Sequence, residues 1–352
     1  MSLTSMTRRG FLATTAAAGA ASVAFPYVIT PARGAKNELV FVGFGGSYQE
    51  GQTKALFEPF ERETGIKVIQ TTGVDIAKLR AQVQSKNVEW DLISIPDRLR
   101  YTAVRDGLLQ RLNYGIINAK DTMPDLVTEY AVGCVTIPML LTYSTKAYPP
   151  GKEPRTWADF WNPAKVPGPR GMYNAPTYTL EFALIADGAP KDKLYPLDVA
   201  RALKSFDRVK PAIKVWWSQF PQPGVLLKSG EITMTPWTRS ITFMLEGEPI
   251  GISYEGAALT FEAWVVPTSA PNAENAMKFI HWALQPKPQA ELTKYIAFGP
   301  TNVNANQYVD ARLKPLLSSN PENVKKGFLL SGDWWGPNLD KVNEQWNEWR
   351  LR

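Results

Sequence analysis

The chain has 352 residues, with 39 basic and 33 acidic side chains, one histidine, one cysteine and a formal net charge of +6. The lone Cys134 permits no internal disulfide, and with only His281 beside it neither a His/Cys zinc site nor a Ser-His-Asp triad is readily assembled. No run of Lys or Arg forms a patch, which argues against a nucleic-acid partner.

Residues 1–35 read as an export signal. Thr7-Arg8-Arg9-Gly10-Phe11-Leu12 precedes an uncharged, alanine-rich run from Ala13 to Ala24, the pattern of twin-arginine export. That run is too short and small-residued for a hydrocarbon core of ~30 Å, which takes roughly 20 apolar residues; a retained anchor is the alternative. Cleavage is expected near Ala32-Arg33-Gly34. Losing this segment removes three arginines and no acid, leaving 36 basic against 33 acidic side chains. The exported remainder is long enough for two lobes of roughly 150 residues each.

The remainder opens with a strand, Leu39 to Val42, then a glycine loop from Gly43 to Tyr48. A helix is expected from about Gln52 to Glu63, kinked at Pro59 and stopped at Thr64-Gly65. The strand Ile66 to Ile69 completes a β-α-β unit. A dinucleotide fingerprint would need glycine where Tyr48 stands, so these glycines more simply let a ligand approach the backbone. Trp90 to Ile95 is a buried strand whose end delivers Pro96, Asp97 and Arg98.

Alternating strands and helices continue to about residue 140, where a second region begins. Thr156 is expected to cap a short helix. Leu197 to Val209 reads as a helix, and Gly230 to Pro236 as a strand feeding Trp237-Thr238-Arg239 at the start of another. Phe261 to Pro267 is a strand and Asn275 to Leu284 a helix, with His281 an ordinary residue on it. The tryptophans from Trp334 to Trp349 fall at helical spacing and are expected to pack their own lobe.

Several segments carry a resemblance. They are Gly45-Gly46-Ser47-Tyr48, Phe57 to Val68, Trp90-Asp91-Leu92, Gly107-Leu108-Leu109, Thr156 to Trp161, Leu227 to Glu231 and Pro300-Thr301-Asn302. In this order, across nearly the whole exported chain, they resemble the periplasmic solute-binding proteins of ABC importers, with most likeness to the spermidine/putrescine-binding group. The resemblance implies an α/β fold of two lobes, type II, each a mixed sheet flanked by helices, with the ligand cleft between them. The lobes would comprise 36–140 with 262–305, and 141–261 with 306–352.

The same resemblance implies the cleft residues. Gly46, Ser47 and Tyr48 would follow the first strand, and Trp237 would match a tryptophan lining the polyamine cleft. Arg98 stands where polyamine binders carry an aromatic, next to Asp97. Glu262, in Thr260-Phe261-Glu262, replaces the acid that grips an amine. A second family acid is missing from Asn174-Ala175-Pro176-Thr177. Arg239 sits near a helix start, a position that favours anions. Glu262 and Asp97 against Arg98 and Arg239 suit a zwitterion better than a linear polyamine, because arginine pairs carboxylates bidentately.

The expectation is therefore a periplasmic, monomeric receptor without cofactor or catalysis. It would deliver a polyamine-like, amino-acid-like or carboxylate-bearing solute to a permease in the inner membrane. An exported enzyme acting on a small charged metabolite is one alternative. A receptor for a metal or small organic anion is another, although Tyr48 and Tyr143 lie far apart in the sequence.

Overall fold

Strand β1, Glu38–Gly43, opens the computed structural model, which describes residues 37–352; the segment expected to be an export signal lies outside them. Its Leu39, Phe41 and Val42 are fully buried, as an apolar strand in a parallel sheet should be. The segment after it is helical throughout: Gly46–Gln52, a π-helical turn Thr53–Phe57, then Glu58–Thr64. The kink expected at Pro59 is absorbed by that turn. The Glu58 N–H bonds back to Thr53, so the helix widens just before the proline instead of breaking. Gly65, at φ 72°, ends it.

Parallel strands β2, Lys67–Thr72, and β3, Leu92–Pro96, flank β1. The chain then enters β4, Val132–Ser144, followed by β5, Arg170–Tyr173, β6, Ile213–Trp217, and β7, Met234–Trp237. It returns through β8, Ile250–Val265; two short strands, β9 at Gly299–Pro300 and β10 at Phe328–Leu329, pair with β4 and β8. The strand order is β2-β1-β3-β8-β4-β7-β5-β6.

The two long antiparallel strands β4 and β8 carry the sheet from one lobe into the other. Residues 140 and 261, where the sequence suggested changes of lobe, fall inside them. Register shifts at Gly133/Val135 and Met139/Leu141 interrupt their pairing, and such irregularities bend and twist a ribbon. One core gathers Phe41, Phe57, Phe60, Trp264 and Phe279, and another gathers Trp157, Phe160, Phe182, Phe206, Trp335 and Trp346. This is the two-lobed mixed α/β architecture expected from the sequence.

Thr156 caps the helix Trp157–Phe160 in a reciprocal box with Asp159, worth about 1 kcal/mol. The cap aims Trp157 inward, where it stacks on Phe182 at 3.8 Å and donates to the Gly256 carbonyl at 2.8 Å. The C-terminal helix Gly332–Leu351 buries Trp335, Trp346 and Trp349 in the same core. Its first turn abuts the helix Asp97–Arg105: Arg100 donates to Asp97 at 2.7 Å and to Asp333 at 2.8 Å. His281 lies on the helix Ala273–Ala283, its Nδ1 accepting from the Asn118 amide. No described helix is long and apolar enough to cross a membrane.

Candidate ligand-binding site

The ends of β1, β3 and β7 deliver their following loops to one cavity of about 450 Å³, floored by β8. Gly45 and Gly46 have φ of 75° and 60°, which only glycine adopts without strain, and they turn the chain so that Ser47 and Tyr48 line the opening. The Tyr48 ring meets Phe298 edge-on at 5.7 Å. Its hydroxyl points below the floor, 3.8 Å from the Cys134 thiol, which itself donates to the Glu262 carbonyl at 3.3 Å. Burial holds the tyrosine un-ionised and pushes the thiol up to about 12, so this layer carries no charge.

Glu262 is the carboxylate of the cavity lining. The two-residue alternation of β8 puts it on the cleft face with Thr260, while Phe261 packs into a core. Its Oε2 is buried without a hydrogen-bond partner among the described residues. Burial raises its pKa to about 8, against the Arg98 guanidinium, which lowers it. Arg98 and Arg239 complete the charged lining, and neither has an ion-pair partner among the described residues. Arg98 also acts electrostatically on Tyr173 and Tyr178, whose hydroxyls burial keeps protonated.

Six of the eight expected residues thus meet around one cavity: Gly46, Ser47, Tyr48, Arg98, Arg239 and Glu262. The other two are placed elsewhere. Asp97 opens its helix about 100° around from Arg98, and its buried carboxylate faces Arg100 and Gly332 instead of the cleft. Trp237 is fully buried. Its indole donates to the Phe220 carbonyl at 2.6 Å and its ring meets Phe243 at 4.7 Å, so it backs the cleft wall and does not form it. The chain turns after Trp237, and Thr238 and Arg239 face the cavity.

An aromatic wall went unread in the sequence. Tyr173, Tyr178 and Phe220 line one side, with Tyr173 to Phe220 centroids 5.5 Å apart, and Phe44 and Phe298 line the other. Tyr173 ends β5, and that position was a legible signal, since ligand sites form at the ends of parallel strands. Tyr178, at φ 71°, is held near Thr260. Phe220 and Phe298 sit in loops with no pattern to announce them. No three His, Cys, Asp or Glu side chains among the described residues gather as a metal site.

Residues 55–324 match the family described as bacterial extracellular solute-binding protein. The gamma-aminobutyric acid-binding protein of Pseudomonas aeruginosa is 31% identical over 336 residues, covering 91% of this chain and 93% of that one. A spermidine/putrescine-binding periplasmic protein of Haemophilus influenzae is 25% identical over 320 residues, covering 86% and 85%. Among solved structures, the Agrobacterium tumefaciens R10 binding protein AgtB, in complex with agropinic acid, shares 39% identity at a TM-score of 0.75, covering 91% of this chain and 100% of that one. An ABC transporter substrate-binding protein from Bradyrhizobium japonicum shares 33% at a TM-score of 0.84, covering 89% and 99%. The chain belongs to the family of bacterial extracellular solute-binding proteins that serve ABC importers.

Proposed function

We propose that this protein is a periplasmic receptor for a small solute bearing both an amine and a carboxylate, which it delivers to an ABC permease. The observation that carries this reading is Glu262, an enclosed carboxyl without a partner, in the same lining as two guanidiniums without partners. An enclosed carboxylate without a counter-charge is costly, and a ligand ammonium supplies one. Arg98, beside Glu262, takes the ligand's carboxylate, and the aromatic wall covers its apolar stem. A diamine leaves both arginines uncompensated and repels them. The amino acid and the agropinic acid bound by the relatives support the same choice.

In this reading residues 1–35 are a twin-arginine signal, the exported chain works as a monomer, and no chemistry is done on the solute. The lobes, 36–140 with 262–305 and 141–261 with 306–352, close about β4 and β8. Ligand bridging them favours the closed form by its differential affinity. Calorimetry on the exported chain with 5-aminovalerate, γ-aminobutyrate, α-amino acids, glutarate and putrescine tests the proposal. Binding of at least one amine-carboxylate ligand, with putrescine tenfold or more weaker, is expected; tight putrescine binding unaffected by Arg98→Ala and Arg239→Ala would refute it.

A further inference from the structure

The charged groups of the cleft are unequal in number and in place. Glu262 and Arg98 belong together: β8 pairs antiparallel with β3, Glu262 lies opposite Pro96, and Arg98 follows two residues later. Arg239 follows β7, on the far side of both crossing strands. Three strand spacings separate β3 from β7, roughly 14 Å across the sheet. Glu262 and Arg98 therefore reach the cleft from one side of the crossing strands and Arg239 from the other, giving one carboxyl against two guanidiniums. The rings of Tyr173, Tyr178 and Phe220 line the same cavity.

We infer that the ligand carries a second anionic group, held by Arg239, so that the solute class is an amino-dicarboxylate, with a primary or secondary amine near one carboxylate and the other distal. The inference rests on the amine-carboxylate reading and adds one charge to it. A ligand with one ammonium and one carboxylate satisfies Glu262 and Arg98, and leaves the Arg239 guanidinium without a counter-charge when the lobes shut. A distal carboxylate neutralises it and ties the two lobes through the ligand. The cavity of about 450 Å³ has room for a longer solute, since pockets of roughly 300–1,000 Å³ take drug-sized ligands.

The test is calorimetry on the exported chain with matched pairs: L-glutamate against L-glutamine, L-2-aminoadipate against L-norleucine, and an N-carboxyalkyl amino acid against its amide. The dicarboxylate of at least one pair is expected to bind tenfold or more tighter than its neutral partner. In Arg239→Gln that ratio should fall to about one, with the neutral partner's affinity changed less than threefold. A wild-type ratio of one or below in every pair that binds, or a ratio that survives in Arg239→Gln, overturns the inference and leaves the amine-carboxylate reading standing. Glutarate binding as tightly as the amino-dicarboxylates would instead overturn the amine part and keep the second anion.

Discussion

The guanidinium of Arg98 lowers the pKa of the Glu262 carboxyl yet forms no ion pair with it. The pairing of β3 with β8 sets this relationship, placing Pro96 opposite Glu262 and sending Arg98 out over the cleft. A neutralised pair would have nothing left to offer a ligand. Held apart, each group keeps its capacity to hydrogen-bond.

Removing the carboxylate should cost affinity without costing the fold. Hydrogen bonds to charged groups contribute about 1.5–3 kcal/mol, so Glu262→Gln should weaken amine-bearing ligands about 10- to 100-fold by calorimetry. An unchanged affinity would mean that the amine lies elsewhere.

The ligand-free protein should lose stability as pH rises through the neutral range. Burial raises Glu262 to about 8 and Glu181 to about 7, both from 4.5. Glu181 accepts hydrogen bonds from Tyr195 and Trp335, and its Oε2 has no partner among the described residues. Both carboxyls bind their protons more tightly folded than unfolded. Their stabilisation is therefore complete below pH 4.5 and fades as pH climbs to 7–8. From 4.5 to about 8, at 1.36 kcal/mol per unit, the Glu262 contribution is on the order of 5 kcal/mol. Urea midpoints should fall from pH 5 to pH 8, and the double variant Glu262→Gln with Glu181→Gln should flatten the slope.

Trp237 and Arg239 stand two residues apart and should behave oppositely. Trp237→Ala empties a filled core position, costing about 3–5 kcal/mol of stability, while Trp237→Phe should leave affinity within a few fold. Arg239→Gln should leave the melting temperature almost unchanged and weaken anionic ligands tenfold or more. Thermal shift and calorimetry on the variants separate the two roles.

Gly332 packs its Cα against the Asp97 carboxylate, so a methyl group there collides with it. Overpacking of this kind costs about 1–3 kcal/mol. Gly332→Ala should lower the melting temperature by several degrees. It should also weaken ligand binding a few fold, because Asp97 begins the helix that carries Arg98.

The sequence made much of the cleft legible because its residues follow strand ends, where pattern is strongest. Gly46, Ser47, Tyr48, Arg98 and Arg239 all come just after an apolar strand, and Glu262 lies within one. Trp237 was misread because the last residue of a strand can face either side, and only packing against Phe243 and Phe220 decides which. Asp97 misled for a related reason: neighbours on a helix point about 100° apart. The long β8 was seen only from Phe261 onward, since its first half is partly exposed on both faces and shows no alternation. Phe220 and Phe298 reach the cleft through tertiary folding alone.

The central claim is that an ammonium group of the ligand pairs with an ionised Glu262, and proton uptake or release on binding tests it most directly. With a pKa of about 8, the carboxyl is about nine-tenths protonated at pH 7 in the free protein and must ionise to receive the amine. Calorimetry at pH 7 in buffers of differing ionisation enthalpy should show close to one proton released per ligand, and affinity should rise about tenfold from pH 6 to 7 and about fivefold more by pH 8. Glu262→Gln should abolish both effects. A binding enthalpy independent of buffer, with equal affinity at pH 6 and pH 8, would contradict the account.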